Sequence, residues 1–110
     1  MKISDLKNAL SDKDTVVKLV ALKALRSSCP CDSRIVSELL DALKDDEAGV
    51  RESAAWTLAC IGAPEELAIP ELIKLAFDEN RDVRMIARYS INRIRNNVPV
   101  SFALREKTPL

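Results

Sequence analysis

The chain has 110 residues, of which 47% are hydrophobic and only 4% aromatic, enough apolar material for the core of one small domain with a thin stability margin. Seventeen basic residues cancel seventeen acidic ones, so no overall field draws the chain to nucleic acid or to an anionic membrane. Histidine is absent, which removes imidazole bases and with them Ser-His and Cys-His nucleophilic sites; two glycines and five prolines suit helices on short connections and disfavour a many-stranded β fold.

Apolar spacing predicts six helices, near 3–11, 15–28, 33–44, 48–61, 66–77 and 81–96. The first two are separated by Asp12-Lys13-Asp14, a polar break of the kind that ends one helix and caps the next. Cys29-Pro30-Cys31-Asp32 then interrupts the chain, with Asp32 as the N-cap of the third helix. That helix carries Ile35, Val36, Leu39, Leu40 and Leu43 on one face. Asp45-Asp46-Glu47 follows, and the fourth helix shows Val50, Ala54, Ala55, Leu58 and Ile61 at steps of three and four. Gly62-Ala63-Pro64 comes next, with Gly62 in the place of a left-handed helix terminus. Pro70 lacks an N–H and would clash inside a helix, so the fifth helix is expected to start near it or to kink there. Asp78-Glu79-Asn80 precedes the sixth. In all three polar breaks the carboxylates sit where free N–H groups and the helix dipole attract negative charge.

These elements repeat at a fixed interval of 33 residues. Ile3, Val36 and Ile69 correspond, as do Leu6, Leu39 and Leu72; Asp12, Asp45 and Asp78; Val17, Val50 and Val83; Lys18, Arg51 and Arg84; Ala21, Ala54 and Ala87; and Leu25, Leu58 and Ile91. Fixed-period self-similarity marks stacked supersecondary units that present an extended surface to another macromolecule. Three units are expected, approximately 1–30, 31–63 and 64–96, forming one domain over 1–96. In the tail, 97–110, Val98, Val100, Phe102 and Leu104 suggest a shortened fourth unit that caps the open end; the alternative is pairing of that end with a second copy.

Asp45-x-x-x-x-Val50-Arg51-x-x-Ala54-Ala55-x-x-Leu58-x-x-Ile61-Gly62, followed by Ala68-Ile69-Pro70-x-Leu72-Ile73, closely resembles the HEAT-like repeat of the phycobiliprotein-lyase type. Asp78 to Ile94 matches well, and the first unit is degenerate, with Lys18 for arginine and Ser28 for isoleucine. The resemblance implies an all-α fold, a right-handed α-solenoid of three helix pairs with the second helix of each pair lining a concave side. It also implies a ladder between neighbouring units built from Asp12, Asp45, Asp78, Lys18, Arg51 and Arg84. A charged residue repeated in every unit is more economically explained as inter-repeat bonding than as three active sites. The family hosts scaffolds, adaptors, chromophore lyases and hydroxylases alike, so its fold does not decide its function.

Positions that vary between units while sharing one face are better candidates for a site. Leu19, Lys23 and Ser27 align with Glu52, Trp56 and Cys60, and with Met85, Tyr89 and Arg93. Trp56 and Tyr89 are expected in adjacent units about 10 Å apart, the ordinary helix spacing. Two aromatics flanked by Met85, Lys23 and Arg93 have the composition of a protein-binding hot spot.

The last helix is a second candidate. Residues 81–95 hold five arginines against one aspartate, a net charge of +4, while residues 65–79 hold five acids against one lysine, a net of −4. Mutual neutralisation of these two halves is expected ahead of phosphate binding. Cys29, Cys31 and Cys60 are three cysteines in a chain with no export signal, which points to thiols; no metal and no cofactor are expected. The sequence therefore reads as a cytoplasmic, non-catalytic adaptor for a protein or peptide partner, monomeric or weakly dimeric through an array end. A chromophore-handling relative of the lyases is the runner-up, and a nucleic-acid binder using the arginine-rich helix is third.

Overall fold

The computed structural model describes residues 3–28 and 32–96. Six helices follow in order: α1 Ile3–Leu10, α2 Thr15–Ser28, α3 Ser33–Ala42, α4 Ala48–Ile61, α5 Glu65–Leu75 and α6 Arg81–Arg95. Among the described residues there is no strand, and no helix is long and apolar enough to cross a membrane.

Each unit is a helix pair, and the pairs stack in single file. Helix α1 packs on α2, α3 on α4 and α5 on α6, while α4 lies between α2 and α6. Helices of the first unit make their extensive contacts with the second unit and not with the third, which is the open arrangement of a solenoid and not of a closed bundle. The second helices meet one another far more extensively than the first helices do, which puts α2, α4 and α6 on the tighter side of the array.

Equivalent positions share equivalent surroundings. Val50 and Val83 are fully buried, as are Leu25 and Leu58, and Ala21, Ala54 and Ala87 have at most 2% of their surface exposed. Val17 is only half-buried, because it faces away from the second unit and no described residue stacks on that side. Small alanines let α2, α4 and α6 approach closely; leucine and isoleucine from the first helices fill the space behind them.

The chain reverses between paired helices by one recurring device. Each first helix ends in tightened i to i−3 bonds: Asp12 N–H to the Ala9 carbonyl, Asp45 to Ala42 and Asp78 to Leu75. The aspartate thus delivered turns its Oδ1 back to accept the N–H two residues on, from Asp14 at 2.8 Å, Glu47 at 2.9 Å and Asn80 at 2.9 Å. Asp14 and Asn80 then cap α2 and α6 through their side chains, and Asp32 caps α3. Helix α4 ends on Gly62 at φ 70° and ψ 47°, a left-handed conformation that costs glycine nothing, with Ala63 N–H reaching back to the Leu58 carbonyl.

The fifth helix departs from expectation. It starts at Glu65, behind Pro64, and Pro70 is its sixth residue, well inside the helix. The amide missing at Pro70 would have served the Glu66 carbonyl; both residues lie on the exposed face, where solvent replaces that bond. The suggested cap in residues 97–110 lies outside the described residues, as do Cys29 and Cys31 and any meeting of them with Cys60.

Candidate functional site

Two sets of side chains stand out between units: a ladder of charges along the interhelix turns, and an aromatic cluster between α4 and α6.

Along the turns, the cation of one unit reaches the aspartate of the next. Lys18 Nζ donates to Asp45 Oδ2 at 2.6 Å. Arg51 makes the stronger version, with Nε to Asp78 Oδ2 at 2.9 Å and Nη2 to Asp78 Oδ1 at 3.1 Å, while its Nη1 donates to the carbonyls of Asp45 and Asp46 in its own turn. Arg51 is buried. Arg84 repeats only the inner half, Nη1 donating to the carbonyls of Asp78 and Glu79. Asp12 accepts the Asp14 N–H and meets no cation among the described residues. Burial pushes the Asp45 and Asp78 carboxyls up, but it is outweighed: donation from Lys18 and the Glu47 N–H at Asp45, and from Arg51 and the Asn80 N–H at Asp78, holds both below the usual carboxylate range.

A pH dependence follows with a definite sign. Carboxyls whose folded pKa lies below the unfolded value contribute stability above the ordinary range, about pH 3.9, and lose it as pH falls through the folded value. The urea midpoint is expected to be flat from about pH 7 to pH 5 and to fall steeply below about pH 4, with a shallower fall in Asp78→Asn. Equal midpoints at pH 7 and pH 3 would contradict this.

The aromatic cluster sits on the second helices. Trp56 on α4 and Tyr89 on α6 have ring centroids 5.3 Å apart at 55°, and the Arg93 guanidinium carbon lies 5.2 Å from the Trp56 ring centroid. The rings are therefore in contact, closer than the 10 Å helix spacing suggests, because both side chains lean across the junction. Trp56 is half-buried against the core edge; Met85 and Tyr89 are 57% and 55% exposed. Glu52, Asp82, Met85, Ile86 and Tyr89 line a groove of about 270 Å³, continuous through Glu52 and Ile86 with a hollow beside Trp56, Ser53 and Arg26. Leu19 packs partly into the core, and Lys23 is exposed one turn further along α2.

The expected neutralisation between α5 acids and α6 arginines does not take the form of ion pairs. Among the described residues Glu71 pairs with Lys74, Arg93 lies over Trp56, and Arg84 holds backbone carbonyls. Asp78 pairs instead with Arg51 of the unit before it. Sequence reading also missed Arg26, whose Nη1 donates to Ser53 Oγ at 2.8 Å and Thr57 Oγ1 at 3.0 Å, clamping α2 to α4. Its signal was weak, since the equivalent position in the next unit is Ala59. That difference explains Ser90, the counterpart of Thr57, whose buried hydroxyl finds no partner among the described residues. No group of three or more His, Cys, Asp or Glu residues suited to a metal occurs among the described residues.

A comparison with curated proteins gives no match. Residues 3–92 match the family model for HEAT repeats. That span takes in α1 to α5, most of α6 and both rungs of the ladder, and the chain belongs to the HEAT-repeat family.

Proposed function

We propose that the chain is a non-catalytic protein-interaction module, an adaptor that offers the α4–α6 groove to a peptide segment of a partner protein. HEAT repeats commonly serve as protein-interaction modules. The observation that carries the reading is the cluster of Trp56, Tyr89 and Arg93 with Met85 beside it. Two rings and a guanidinium hold one another in place while more than half of Tyr89 and Met85 faces solvent. Side chains already ordered before binding lose little entropy on binding, and aromatic and arginine side chains dominate the energetics of interfaces. Glu52 and Asp82 at one part of the groove and Arg93 at the other favour a partner segment with an apolar centre and charges of both signs. Leu19 and Lys23 extend the same row on α2. Asp12, Asp45, Asp78, Lys18, Arg51 and Arg84 are structural in this reading. The module works in the cytoplasm, the compartment suited to cysteines kept as thiols.

Capture of partners from native lysate, repeated with Trp56→Ala plus Tyr89→Ala, tests the proposal. The double variant is expected to keep its helical circular dichroism and to lose affinity about 30-fold or more, the scale of a hot-spot pair. Met85→Ser plus Tyr89→Ala, both more than half exposed, serves as a second variant that leaves the half-buried Trp56 in place. Retention of every partner by both variants would sink the groove as the binding site.

The resemblance of the repeat to the lyase type, together with a tilted aromatic pair beside Arg93, favours chromophore handling as a second reading. Titration with a bilin that produces saturable absorbance changes, lost in the same double variant, would establish it over the adaptor.

A further inference from the structure

The ladder described above is directional, and its two ends are complementary. Each rung joins the cation of one unit to the aspartate of the unit after it, Lys18 to Asp45 and Arg51 to Asp78. Arg84 stands at the forward end with its Nη1 already fixed on the carbonyls of Asp78 and Glu79, as Arg51 is fixed on those of Asp45 and Asp46. The Nε and Nη2 edge that Arg51 uses to grip a carboxylate has no acceptor at Arg84 among the described residues. At the other end, Asp12 holds the same turn as Asp45 and Asp78 but meets no cation there. One end offers an oriented guanidinium without a carboxylate, and the other an oriented carboxylate without a cation.

The faces around these two groups also carry exposed apolar side chains. On the forward face Ile73 and Phe77 are 43% and 81% exposed, at the positions that Lys7 and Ser11 occupy in the first unit, where they meet Glu38 of the second. On the rear face Val16 and Val20 are 65% and 60% exposed and line an apolar hollow of about 230 Å³ with Ala9, Val17 and Ala21. Their counterparts in the second unit are Gly49 and Ser53. Ser53 is covered by Arg26 of the unit before it.

We infer that a second copy of this chain docks head to tail, Arg84 of one copy gripping Asp12 of the next, so that the 33-residue register continues across the junction. In that register Ile73 and Phe77 lie against the α1 of the incoming copy, and Arg84 and Asn92 lie over the Val16 and Val20 face. Such a contact uses two different surfaces, so it leaves one of each free and extends beyond a dimer as concentration rises.

Sedimentation equilibrium of the full chain from about 10 µM to about 1 mM tests this. The average mass is expected to climb above the single-chain 12.2 kDa. Arg84→Glu and Asp12→Lys are each expected to weaken association about tenfold or more, the scale of one close charge pair across an interface. Phe77→Ser, at a side chain that contributes little to the fold, is expected to weaken it as well. Mixing Arg84→Glu with Asp12→Lys is expected to restore association, since the intact Arg84 of one variant meets the intact Asp12 of the other. A mass that stays at 12.2 kDa throughout overturns the inference. So does a mixture no stronger than either variant alone, which is the behaviour of a symmetric contact. Association that appears only when Phe102→Ser and Leu104→Ser are introduced would make the chain's own tail the occupant of the forward face, and would overturn it too. The Trp56→Ala plus Tyr89→Ala variant is expected to associate like the wild type, which separates this surface from the groove.

Discussion

Leu58→Ala is expected to lower stability by about 2–5 kcal/mol, the range for a fully buried leucine. Leu58 is 0% exposed and lies on α4, the one helix with a packed neighbour on both sides, α2 and α6. A cavity opened at the edge of a fold shrinks as neighbours move in, but α4 is held between two layers, so little collapse is available. In a domain of this size each kcal/mol moves the melting temperature about 4–8 °C, so the variant is expected to melt at least about 10 °C lower and to lose a sharp transition at the upper end of the range. Ile91→Ala, the equivalent truncation in the third unit, removes a side chain that is only partly covered and is expected to cost less. Urea titration followed by circular dichroism measures both. A loss under about 1 kcal/mol at Leu58 would mean that the stacked core is not where stability resides.

Arg51→Met is the second large effect. The guanidinium and the Asp78 carboxylate are 11% and 12% exposed, and Arg51 also satisfies the carbonyls of Asp45 and Asp46. Removing it leaves a carboxylate shielded from water that keeps the Asn80 N–H and the field of Arg84 but loses its paired guanidinium, together with two carbonyls deprived of their donor. Breaking a buried pair from one side costs about 3–5 kcal/mol, because the surviving charge keeps its desolvation penalty. Adding Asp78→Asn to Arg51→Met is expected to recover part of the loss, since it removes the stranded charge. Arg51→Lys is expected to recover less than full stability, because an ammonium cannot grip both carboxylate oxygens in the plane of a fork. Lys18→Met is expected to be milder, its rung being a single contact. An Arg51→Met variant within about 0.5 kcal/mol of the wild type would remove the ladder from any account of stability.

The helices were legible in the sequence to within two residues, and the reasons are visible in individual positions. Polar breaks at Asp12, Asp45 and Asp78 announced the turn within each pair, and Gly62 announced the left-handed terminus. The first helices end one or two residues sooner than apolar spacing implied, because Leu43 and its neighbours close into tightened turns while remaining on the buried face. Pro70 misled because the rule against an interior proline is weak on an exposed face. Within the candidate site, the row through Trp56 and Tyr89 was legible as a row, but the ring contact and the position of Arg93 over Trp56 depend on rotamers that spacing does not encode. Net charge was a poorer guide. It counted α5 and α6 as neutralising partners, whereas among the described residues Asp78 is taken by Arg51 of the preceding unit and Glu71 by Lys74 on its own helix.

The rungs that tie neighbouring units together also set the rules by which such a protein can lengthen. Each unit extends a cation forward and offers a carboxylate backward, so duplicating or deleting one whole unit rejoins compatible partners, whereas an insertion of any other size within a unit separates them. Growth is quantised: evolution or an engineer can change the number of modules freely and still inherit working joints.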